Sequence, residues 1–233
     1  LTTDGAFDIA AKRDDKLLLV KVLANIDGLN DEQALSLRAV SYFLSAHPFI
    51  VSVKNNRESL DNNMIYSRFD IPVVTSELFS NIITNDEIVP LNSAKGRHTI
   101  EVDVKILREK RNELELTLEQ LANKIGISKK TMYEIENERV NPTKETVEKL
   151  ESVLSIDLKK PFEMKNAPVT YLKPKNDFQG KVSKEFSRIG IDNSSVYSAP
   201  FEIVGKENFS IITTLSRNIR KVGKSALIVK KLS

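Results

Sequence analysis

From Thr117 to Asn137 the chain reads TLEQLANKIGISKKTMYEIEN, two short apolar-striped segments hinged at Gly126. Leu121, Ala122 and Ile125 share one face of a first helix, and Met132 and Ile135 share one face of a second, at the three- and four-residue spacing of a buried stripe. Gly126 can take the left-handed backbone conformation that a tight turn between helices demands, and Ile127 can plug the gap. Thr117 with Gln120 three residues on forms a capping box, and Ser128 is an N-cap just ahead of Lys129 and Lys130. Ala122 is small where the two helices must approach closely. The pattern is a helix-turn-helix, and it points to DNA.

It resembles the phage repressor and Cro type, from about Lys105 to Leu154, which implies the usual five helices. Aligned on Ala122 and Gly126, the recognition helix runs from Ser128 to Asn137. The resemblance places Lys129, Lys130, Tyr133 and Glu134 toward base edges, with Thr117, Ser128, Thr131, Arg139 and Lys144 completing the DNA-binding set. It also implies a structural ion pair between Arg111 and Glu136. Two positions depart from the phage pattern. Leu118 replaces the glutamine that commonly opens helix 2 and touches a phosphate, and Glu138 replaces the glycine that usually follows helix 3, putting an acid near the DNA path.

Charge bears on that reading because phosphate contacts supply much of the affinity. Residues 103–163 hold 12 Lys+Arg against 13 Asp+Glu, so basic groups there act only if clustered. Residues 1–102 carry a net −4 and residues 164–233 a net +8. A second nucleic-acid contact through Lys221, Lys224, Lys230 and Lys231 and a merely solubilising basic tail both fit that excess.

At 233 residues, 40% hydrophobic and 29% charged, the chain has room for two or three modest domains of ordinary soluble composition. It has no apolar run near 18 residues and opens on no signal-peptide pattern, while Leu1 in place of methionine points to sequence missing upstream. The absence of cysteine excludes disulfides and thiolate zinc sites. His47 and His98, the latter beside Arg97 in an expected loop, are assigned no role. These features fit a cytoplasmic protein with no cofactor.

N-terminal to the helix-turn-helix, Phe7–Ala11 and Leu17–Leu23 read as a hairpin turned at Arg13 to Lys16. A helix over Asp31–Ser45 follows, packing through Ala34, Leu37, Val40, Ser41 and Leu44. Strands are expected at Phe49–Lys54, Met64–Tyr66 and Val73–Thr75, and a helix at Ser76–Ile83. This order suggests an α/β layer fold and is similar to the core of Holliday-junction resolvases and related metal-dependent nucleases. Such enzymes need an aspartate and, on the next strand, an acid two residues before a lysine, because Mg²⁺ takes several oxygen ligands. Asp8 fits the first role and Lys21 the last, but the middle position is Leu19, which speaks against catalysis.

A partial echo of the hairpin follows near the other end. Phe7, Ile9 and Lys12 recur as Phe201, Ile203 and Lys206, and Asn25 and Ile26 as Asn218 and Ile219, with one deletion in the turn. Glu202 stands where Asp8 was, and Ile212 and Thr214 replace Leu19 and Lys21. Duplication explains this register better than shared composition. Lys181–Ile189 reads as a helix ahead of the echo.

Taken together, FDIAAK at Phe7–Lys12, VKVLANID at Val20–Asp27, YSRFDIPVVT at Tyr66–Thr75 and the stretch Ile100–Asn137 resemble an archaeal family of HTH-type transcriptional regulatory proteins. The resemblance implies an α/β plus all-α architecture: a degenerate nuclease-like domain over 1–98, a five-helix repressor-type domain over 99–163, and a basic α+β domain over 164–233 that partly repeats the first. It implies a non-enzymatic, sequence-specific transcriptional regulator that binds double-stranded DNA as a homodimer. The alternative is a structure-specific nucleic-acid-binding protein, RNA- or ribosome-associated or retaining residual nuclease activity.

Overall fold

Asp14, at φ 55°, lets the chain reverse in two residues between β1 (Ile9–Arg13) and β2 (Lys16–Asn25). The strands pair antiparallel, Ile9 facing Val20 and Arg13 facing Lys16. This hairpin opens a computed structural model that describes residues 5–85, 88–94 and 97–215; Asn218 and Ile219 of the sequence echo and Lys221, Lys224, Lys230 and Lys231 lie outside the described residues. Two units are formed: the described residues of Leu1–Leu60, Ser67–Ser76 and Met164–Ser233 make one, and those of Asp61–Tyr66 and Glu77–Glu163 the other.

In the first unit β2 continues into α1 (Asp31–Phe43), begun by a capping box between Asn30 and Gln33. The helix is a crossover that brings β3 (His47–Lys54) parallel to β2, and β5 (Ile71–Val74) lies parallel on the far side of β3. The expected inward face of α1 is buried at Ala34, Leu37, Val40 and Ser41, while Leu44 is half-buried. Ser36, Ala39 and Phe43 are buried too. The reason is a second layer: α7 (Asp177–Arg188) leads into β8 (Asp192–Ser195), β9 (Ile203–Lys206) and β10 (Ser210–Thr213), an antiparallel sheet with β9 in the centre. α1 touches both β3 and β9. Ser36 Oγ accepts from the Tyr197 amide at 3.2 Å, Ser210 Oγ donates to the Phe43 carbonyl at 2.9 Å, and Lys206 Nζ donates to Ser45 Oγ at 2.7 Å. The described part, residues 164–215, of the stretch 164–233 that the sequence set apart belongs to the first unit, where α1 packs against both sheets.

The second unit holds β4 (Met64–Arg68, through Tyr66), β6 (Leu91–Ala94), β7 (Arg97–Thr99) and α2 (Ser76–Thr84, from Glu77). β6 is parallel to β4 and antiparallel to β7. His98, expected in a loop, lies in β7 opposite Ser93. The helical part comprises α3 (Val104–Glu113), α4 (Leu118–Ile125), α5 (Lys129–Glu136) and α6 (Lys144–Leu154). These are four helices, not the five expected. Ser155, at φ 52°, stops α6, and the chain then runs back antiparallel beside residues 101–103, the Leu158 carbonyl accepting from Asp103 N at 2.8 Å and Lys160 N donating to the Glu101 carbonyl at 3.0 Å. Leu158 is thereby buried in the core with Leu107, Leu121, Ala122, Ile125, Met132, Ile135, Leu150 and Leu154. A hydrogen bond from Lys159 to Glu151, 3.0 Å away, raises the lysine pKa, and the Lys159 amide lowers that of Asp157.

Gly126 sits at φ 76°, ψ 34°. Its amide donates to the Asn123 carbonyl and the Ile127 amide to the Ala122 carbonyl, the paired bonds that close a helix through a left-handed residue. Space is open around the glycine, so backbone strain alone sets the cost of a Cβ. Gly126→Ala should destabilise the helical unit by about 1 kcal/mol, read as a lower denaturant midpoint at unchanged slope.

Among the described residues no helix is long and apolar enough to cross a membrane.

Candidate nucleic-acid interface

Helix α5 presents two faces. Met132, Ile135 and Glu136 are buried, and Lys129, Lys130, Thr131 and Tyr133 are exposed, with Glu134 between. Ser128 caps the helix by accepting from the Thr131 amide at 3.0 Å, and its hydroxyl lies 2.8 Å from that of Thr131. Thr117 caps α4 in the same way, accepting from Gln120 N at 3.2 Å while the Gln120 side chain accepts from Thr117 N at 2.8 Å. Both caps leave the first turns of α4 and α5 with further amides facing outward, where the helix dipoles favour an anion.

The outward groups are not independent. Lys129 Nζ lies 3.1 Å from Glu119 on α4. Lys130 has no ion-pair partner among the described residues. Arg139 lies 3.5 Å from Glu134 and holds its guanidinium 5.6 Å above the Tyr133 ring. Lys144 opens α6 behind the N-cap Thr143 and is exposed. Sequence reasoning missed the Glu119 partner, which lies ten residues from Lys129 on another helix.

Arg111 and Glu136 meet in a two-point pair, Nε to Oε1 at 2.7 Å and Nη2 to Oε2 at 3.2 Å. Arg111 also donates to the Leu116 carbonyl at 2.8 Å. The Glu136 side chain is 4% exposed, and a second arginine, Arg108, donates to its backbone carbonyl at 2.6 Å. Arg108 stands three residues before Arg111, a spacing that places both on one side of α3 and could have been read from the sequence.

Glu138 lies at φ 56°, just past α5. Its amide donates to the Ile135 carbonyl and that of Arg139 to the Glu134 carbonyl, the same helix-closing pair seen at Gly126. A glycine is favoured there for conformational reasons alone. Glu138→Gly should raise stability by about 0.5 kcal/mol while removing an acid from the outward face, measurable by denaturant titration.

In the first unit, Asp8 Oδ1 lies 3.2 Å from Lys21 Nζ, and Oδ2 accepts from the Val22 amide at 2.8 Å. Lys21 is buried and Leu19 completely so.

The PD-(D/E)XK superfamily domain matches residues 2–89, and Helix-turn-helix matches residues 107–160. A protein of Methanothermobacter thermautotrophicus named for HTH-type transcriptional regulation is 33% identical over 234 residues, covering 98% of this chain and 74% of its own. The chain belongs to this family of archaeal HTH-type transcriptional regulatory proteins. Two more of these regulatory proteins, from Methanobrevibacter smithii and Archaeoglobus fulgidus, are 28% and 26% identical, covering 98% and 100% of this chain and 75% and 76% of their own.

The superfamily match in this regulatory-family chain raises the question of a divalent metal. The residues do not fit one. Mg²⁺ takes several oxygen ligands, whereas the motif positions offer a single carboxylate engaged at both oxygens and a buried leucine. Among the described residues no cluster of three or more His, Asp or Glu could hold a metal ion.

Proposed function

We propose that this protein is a sequence-specific reader of duplex DNA that regulates transcription, with α5 lying in the major groove. The observation that carries this is the division of α5 between a buried stripe and an outward face of Lys129, Lys130, Thr131 and Tyr133, on a helix pair fixed by two side-chain caps and a left-handed glycine. Lysines suit the N7 and O6 acceptors of guanine, and Glu134 suits the amino group of cytosine. Thr117, Ser128, Arg139 and Lys144 are the positioning contacts to phosphate. One short helix reads too few bases for a unique site, so two protomers on half-sites about one helical turn apart are required. The α/β unit is assigned the dimer contacts.

Selection from a random duplex library at near-physiological salt tests this reading. A two-fold symmetric consensus supports it; no enrichment sinks it. Arg139→Ala and Lys144→Ala should weaken all duplexes alike, each reducing the slope of log affinity against log salt by about 1. A sequence-dependent loss would move those residues into the base-reading set.

A further inference from the structure

The two hairpins of the first unit match in their hydrogen bonds. β1 begins at Ile9 and β9 at Ile203, positions related by the sequence echo, and each is preceded by an aromatic residue and an acid, Phe7–Asp8 and Phe201–Glu202. Asp8 N donates to the Val20 carbonyl at 2.8 Å, and Glu202 N donates to the Thr213 carbonyl at 3.0 Å. Asp8 Oδ2 accepts from Val22 N at 2.8 Å, and Glu202 Oε2 accepts from Leu215 N at 2.7 Å. In both hairpins the acid reaches across to the amide two residues beyond the carbonyl taken by its own N–H. The copies also meet. The Phe7 and Phe201 ring centroids are 6.5 Å apart, and Ala6 N donates to the Ser198 carbonyl. One difference has a packing cause: Ala11 of edge strand β1 corresponds to Gly205 of central strand β9, where a Cβ would come within 3.0 Å of Ile191 and 3.1 Å of the Asp192 carbonyl.

We propose that Phe201–Leu215 is a second copy of the hairpin Phe7–Val22 of the PD-(D/E)XK match, and that in both copies the motif acid clamps the end of the facing strand in place of binding a metal. The partners of the acid decide this. In the first copy Asp8 is neutralised by Lys21, and Leu19 occupies the second acid position. In the second copy the lysine position is Thr214, whose Oγ1 is buried with no hydrogen-bond partner among the described residues, and Ile212 holds the second acid position. The bond from acid to amide is what the two share. It persists although the lysine is gone and the acid is one methylene longer. A cation would have to displace an amide and, in the first copy, an ammonium from the single carboxylate it finds.

Amide hydrogen exchange on the full chain tests both halves of the proposal. Asp8→Ala should speed exchange at Val22 about tenfold and leave Leu215 unchanged, and Glu202→Ala should do the reverse. Asp8→Asn keeps an acceptor oxygen and the side-chain shape, so Val22 should stay protected in that variant even if the alanine form fails to fold. Millimolar MgCl₂ should leave the melting temperature and both amides of the wild type unmoved. If MgCl₂ stabilises the wild type but not Asp8→Asn, the acid is a metal ligand. If Leu215 exchange ignores Glu202→Ala, the second copy has no such clamp. Neither readout involves duplex binding, so the outcome is separate from that of the DNA-reading proposal.

Discussion

Replacing Lys129 and Lys130 together with alanine should abolish discrimination between a selected duplex and a scrambled one. A good base-edge pair contributes about 1–3 kcal/mol of discrimination, so losing two should cut the specificity ratio by about a hundredfold or more. Non-specific affinity should fall less, because Lys144 and Arg139 remain. The two lysines should not contribute equally. Lys129 is tied to Glu119 at 3.1 Å with both side chains more than half exposed, and such surface pairs are worth about 0–1 kcal/mol. Lys129 therefore gives up a partner on reaching DNA, and its removal leaves Glu119 uncompensated beside the phosphates. Lys130→Ala isolates a lost contact; Lys129→Ala combines a lost contact with an added repulsion. Competition binding against scrambled duplex, for each single variant and the double, separates the terms. Unchanged selectivity in the double variant would remove α5 as the reader.

The parts of this fold that rest on neighbours in sequence were legible there. Thr117 with Gln120, Ser128, Ala122 and Gly126 each act within one helical turn, and the structure places them as caps, buried core residue and left-handed closure. The β1–β2 hairpin and α1 were equally local. What escaped depends on partners distant in the chain. β6 and β7 run through LNSA and RHT, which carry no alternating apolar pattern. The double burial of α1 is set by β9, more than 150 residues away in sequence, and no periodicity reports a second covering layer. The fifth helix was expected by analogy, whereas Ser155 turns the chain so that Leu158 fills the core from an extended segment. Glu138 was legible as a departure from glycine, but its left-handed backbone was not. The motif residues Asp8, Leu19 and Lys21 could be named from sequence; that the acid clamps an amide required the cross-strand geometry.

Arg111→Met should destabilise the helical unit by about 3 kcal/mol, the cost of leaving a buried carboxylate without its main partner. Glu136 is 4% exposed and Arg111 13%, so water cannot replace the guanidinium, and the Leu116 carbonyl at the turn into α4 loses its donor as well. Arg108 limits the damage only in part, since its Nε is 3.7 Å from Glu136 Oε2 and its side chain is half exposed. The loss should appear as faster amide exchange at Leu107, Met132 and Ile135, with the β2–β3 amides of the other unit unaffected. The double variant Arg111→Met/Glu136→Leu removes both charges and should recover most of the stability, because a buried pair offsets little more than its own desolvation. Recovery of stability without recovery of selective binding would show what the pair is for. In that case the pair would serve to set how α5 packs on α3, and so the direction in which Lys129 and Lys130 point. If Arg111→Met alone leaves exchange at α3 and α5 unchanged, the pair is not structural, and Arg111 must then be counted among the groups available to phosphate.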